Sequence, residues 1–92
     1  MHTYLHIEEL IQEGQELQWT ATAFAEDAVG AETSDLYTAW LSAAREVLVG
    51  RADPESGWQE APSVGREMAE AIGEVLVLLQ RLAGEMEAVA IR

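Results

Sequence analysis

The chain has 92 residues, 17 acidic against five basic, a formal net charge of −12 and no cysteine. This length allows one domain with a modest core. The missing cysteines exclude a disulfide framework, a thiolate zinc site and a thiol nucleophile, and a surface so acidic repels nucleic acid and anionic lipid.

Acidity of this degree can mean disorder, but here 49% of the residues are hydrophobic, three Trp are present, and the apolar positions recur at helical spacing. No apolar run approaches the roughly 18 residues of a membrane span. The opening MHTYLHIEELIQEG lacks the basic start and apolar run of a signal peptide. A cytoplasmic protein is expected.

In chain order, the spacing predicts a first helix over 3–29. Ile7, Leu10, Gly14, Leu17, Ala21, Phe24 and Ala28 alternate in steps of three and four, the seam of an amphipathic helix. The small residues Gly14, Ala21 and Ala28 would let another helix come close. The opposite face carries Glu8, Glu9, Gln12, Glu13 and Glu16. Gly30 reads as the stop, because glycine tolerates the left-handed turn that ends helices.

A second helix is expected over 35–49, capped by Thr33 or Ser34 with Asp35 in its first turn. It would bury Leu36, Tyr37, Trp40, Leu41, Ala44, Val47 and Leu48. The short link to the first helix implies an antiparallel hairpin. Residues 51–62, RADPESGWQEAP, read as a loop with Trp58 in the middle. The third helix, over 63–90, has the longest periodic seam: Gly65, Met68, Ile72, Val75, Leu79, Leu82, Met86 and Val89. Helices joined by a Trp-bearing loop resemble the small secreted Trp-x-Gly helical proteins. Gln59 and Glu60 follow Trp58, however, so that family's defining glycine is absent and no function is carried across.

The expected fold is all-α, three helices running up-down-up in a single domain. A short middle helix cannot cover two long seams, so completion by homodimerisation or by a helical partner is expected.

Chemistry is hard to build from these residues. His2 and His6 stand four apart, as two zinc-binding imidazoles would on a helix, but no third strong ligand is implied, and no metal or other cofactor is expected. The paired carboxylates form a solvated face, not the shielded cleft that acid-base catalysis needs. No phosphate-binding glycine loop exists, and the chain has no lysine to serve one. An enzyme is not expected.

Contact is the remaining mode of action. The first 44 residues hold eight acids and no Lys or Arg. Glu8, Glu9, Glu13 and Glu16 therefore present an uncompensated field, and Trp19 falls about 170° from the seam, among these acids. These residues and Trp58 are the candidate partner-binding set. Gly73, Val77, Gly84 and Ala88 form a second stripe on the third helix, a candidate for helix packing or oligomerisation. The expected function is that of an acidic inhibitor blocking a basic, nucleic-acid-binding partner, as phage anti-defence proteins and some antitoxins do. The alternative is an adaptor or small subunit acting through helix packing. Neither reading calls for direct contact with nucleic acid or membrane.

Overall fold

The computed structural model describes residues 2–48 and 62–91, with side chains over 6–48 and 62–86. It contains helices α1 (His2–Phe24), α2 (Ala31–Leu48) and α3 (Gly65–Ile91). Among the described residues there is no strand, only an isolated antiparallel bridge between Ala28 and Val64. No described helix is long and apolar enough to cross a membrane.

The core lies where the periodicity puts it. Ile7, Leu10, Leu17 and Ala21 of α1, Tyr37, Trp40, Leu41, Ala44 and Leu48 of α2, and Met68, Ile72, Val75, Leu76, Leu79 and Leu82 of α3 are buried together. Burial, with Glu74 nearby as a second cause, pushes the Tyr37 phenol above its ordinary pKa. These side chains bury one another within a single chain.

The course of the chain differs from up-down-up. Gly65, at the start of α3, lies against Ala21 and Phe24 at the end of α1. Further along, the Gln18 amide donates to the Ala69 carbonyl at 3.0 Å, and Gly14 faces Leu76. Rising numbers on α3 meet falling numbers on α1, so the two helices are antiparallel. The second helix is antiparallel to α1 as well, since Leu36 adjoins Leu17 and Thr20 while the Trp40 indole N–H donates to the Leu10 carbonyl at 2.7 Å. Therefore α2 and α3 run parallel, and the order is up-down-down. Leu48 and Pro62 lie at opposite ends of the bundle, and residues 49–61 are numerous enough to span the roughly 27 Å of α2.

A backbone junction fixes this arrangement. Ala25 adopts a left-handed φ of 48° and ends α1 there, well short of Gly30. The chain then turns so that Val29 N–H donates to Ser63 C=O at 3.0 Å, Gly65 N–H to Asp27 C=O at 3.2 Å and Arg66 N–H to Ala25 C=O at 2.8 Å. Ala28, expected in the seam, is instead exposed at this junction.

Gly30 begins the second helix instead of ending the first: its carbonyl accepts the Ser34 N–H at 3.0 Å. The second helix thus starts at Ala31, with Glu32 in its first turn, and Thr33 is a buried helical residue, not a cap. Leu36, expected in the core, is 57% exposed.

Candidate protein-binding surface

One side of α1 is committed to the bundle and the other faces solvent. Glu8, Glu9, Glu13 and Glu16 are all exposed. Trp19, one turn beyond Glu16, is 82% exposed. Among the described residues the ion pairs of Arg66 run to Glu26 at 2.6 Å and Glu70 at 3.6 Å. Helix α1 itself contributes no Lys or Arg to the face that carries the four glutamates. Exposed acids on one helix are a surface that a partner's cations can complement.

Trp19 carries a different signal. A solvent-facing indole offers a large apolar area and one N–H donor, the combination that dominates the energetics of many protein interfaces. Trp40, by contrast, is buried with its N–H already donated to Leu10, so it belongs to the core.

The acidic face continues into a groove between α1 and α2, lined by Glu13, Glu16, Leu17, Thr20, Leu36 and Trp40. The sequence reading assigned Leu36 to the core and so missed this groove. A signal was available: on the wheel of α2, Leu36 stands about 90° from the centre of the buried arc, outside it.

The remaining candidates fare variously. Gly73 faces the Gln18 side chain, whereas Gly84 has open space around it. Val77 is 47% exposed, so the structure brings Val77 and Gly84 to solvent but gives Gly73 a neighbour on α1. Trp58 and the Ala88 side chain lie outside the described residues, as does the side chain of His2. His6 is exposed, and among the described residues no three His, Asp or Glu converge as metal ligands would.

No family model, curated protein or solved structure matches this chain. The functional reading therefore rests on the surface itself.

Proposed function

We propose that this chain is a non-enzymatic, cytoplasmic protein-binding protein whose acidic α1 face occupies a basic surface of its partner. Inhibition of a nucleic-acid-binding protein is the form that best suits the charge. The observation that carries the reading is Trp19, 82% exposed on the helix face that presents Glu8, Glu9, Glu13 and Glu16. An exposed indole one turn from Glu16, on a helix without Lys or Arg, is not needed for solubility, which scattered charges alone provide. As a contact surface it combines steering by charge with affinity from the indole.

The test starts from a partner recovered by affinity capture and measures binding kinetics by surface plasmon resonance at low and high salt. Reversing Glu9, Glu13 and Glu16 to Lys is expected to leave helicity nearly unchanged and to abolish binding, mainly through the association rate. Trp19→Ala is expected to act on the dissociation rate instead, with a loss of about 2 kcal/mol. A charge-reversed protein that binds as well as the parent would remove the acidic face from consideration.

The second reading is an assembly module, either a homodimer or a small subunit, packing through the outer face of α3. It draws on half-exposed Val77 and the open space at Gly84. Light scattering distinguishes it: a monomer mass at high micromolar concentration argues against self-association, and apolar packing would resist salt where charge capture does not.

A further inference from the structure

The groove between α1 and α2 has a volume of about 300 Å³. Its floor is apolar and held in place. Leu17 and Trp40 are buried, the indole is tied to Leu10, and its ring fills the notch left by Gly14. The rim pairs exposed Leu36 of α2 with Glu13 and Glu16 of α1, while the Thr20 hydroxyl is engaged by the Glu16 carbonyl at 3.1 Å.

Resting on the reading of the acidic face as a binding surface, we infer that this groove seats a basic amphipathic helix of the partner. An apolar side chain lies against Leu36 over the Leu17–Trp40 floor, and Lys or Arg residues reach Glu13 and Glu16. Charge decides the occupant. Seating a neutral or acidic segment would strip water from two carboxylates without pairing them. Residues 49–61 of the chain itself carry Asp53, Glu55 and Glu60 against Arg51 alone, the wrong sign for the site. A second copy brings the same net charge of −12. Glu13 and Glu16 are one turn apart, a spacing that cations at i and i+3 or i+4 of a partner helix can match.

The test uses isotope-labelled full-length protein titrated at low salt with a short synthetic peptide of leucine and lysine at helical spacing. A serine-and-lysine peptide of equal charge is the control. The leucine peptide is expected to shift the amide signals of Glu13, Glu16, Leu17, Thr20 and Leu36 and to bind about tenfold more tightly than the control, the worth of burying one leucine-sized surface. Leu36→Ala, at an exposed helical position, is expected to remove most of that difference while leaving the unfolding midpoint nearly unchanged.

Equal affinities for the two peptides, or indifference to Leu36→Ala, overturn the groove as a seat. Salt-sensitive binding of both peptides would at the same time leave the acidic-face reading standing. If neither peptide binds, both readings are overturned. Shifts centred on Val77 and Gly84 would move the docking site to the outer face of α3. Contacts between Leu36 and residues 49–61 in the free protein would assign the groove to the chain's own occupant.

Discussion

The inner seam of α1 and the outer stripe of α3 both interrupt a helix with glycine, and for opposite physical reasons. A Cβ at Gly14 would overlap the Trp40 ring and lie 2.7 Å from Leu76 Cδ2. Here the absent side chain is the space another residue fills. A Cβ at Gly84 would meet nothing within 4 Å, so that glycine is not required by any packing in the described structure. The wheel puts Gly14 in an apolar seam and Gly84 outside one, but it does not say whether either space is filled. What separates them is the partner surface, which only the assembled bundle supplies.

Substitutions can sharpen this contrast. The largest effect is expected at Gly65, where an added Cβ would run into the Ala21 carbonyl and come within 2.6 Å of Phe24 Cβ. Backbone cannot step aside as a side chain can. Gly65→Ala is therefore expected to destabilise by about 3 kcal/mol, lowering the thermal midpoint by more than about 10 °C for a domain of this size. Thermal unfolding followed by circular dichroism reads it directly.

At Gly14 the obstacle is a ring and a leucine tip, and alanine regains roughly 1 kcal/mol of helix propensity. Gly14→Ala is expected to cost about 1–2 kcal/mol net, with loss of the Trp40–Leu10 hydrogen bond visible as a changed indole N–H signal. Gly84→Ala should go the other way, stabilising by roughly 0.5–1 kcal/mol in urea unfolding. If Gly84→Ala destabilises instead, the outer stripe of α3 packs against something, and the assembly reading gains over the acidic-face reading.

Much of the fold was legible because burial follows period. On α3 the seam from Gly65 to Leu82 is buried position by position, since three-four spacing leaves a helix no other way to hide its apolar residues. The ends of the helices were less legible. Spacing carries the first seam through Ala28, and nothing local announces that Ala25 will turn left-handed. That conformation is favoured by the pairing of 27–29 with 63–65, about 35 residues away in sequence.

The direction of α3 was missed for a related reason. A loop of some dozen residues exceeds the two to eight usual between adjacent antiparallel helices, and that excess length was the clue to a return crossing. As for the candidate surface, an exposed Trp19 follows from its wheel position, whereas the groove depends on how far α2 rolls over α1, which no single-helix wheel contains.

The up-down-down course also bears on the time order of folding. The first helix packs far more extensively on α3 than on α2, and the contacts that join them, such as Gln18 with Ala69, are separated by 51 residues. Closing so long a loop precedes the reward of burying the seam, which slows the search relative to a bundle of sequential neighbours. On the ribosome the delay is built in: α1 emerges well before its chief partner α3. Until α3 arrives, Ile7, Leu10 and Leu17 have only α2 to shelter them, so the nascent chain presents an apolar strip to whatever chaperone or aggregate meets it first.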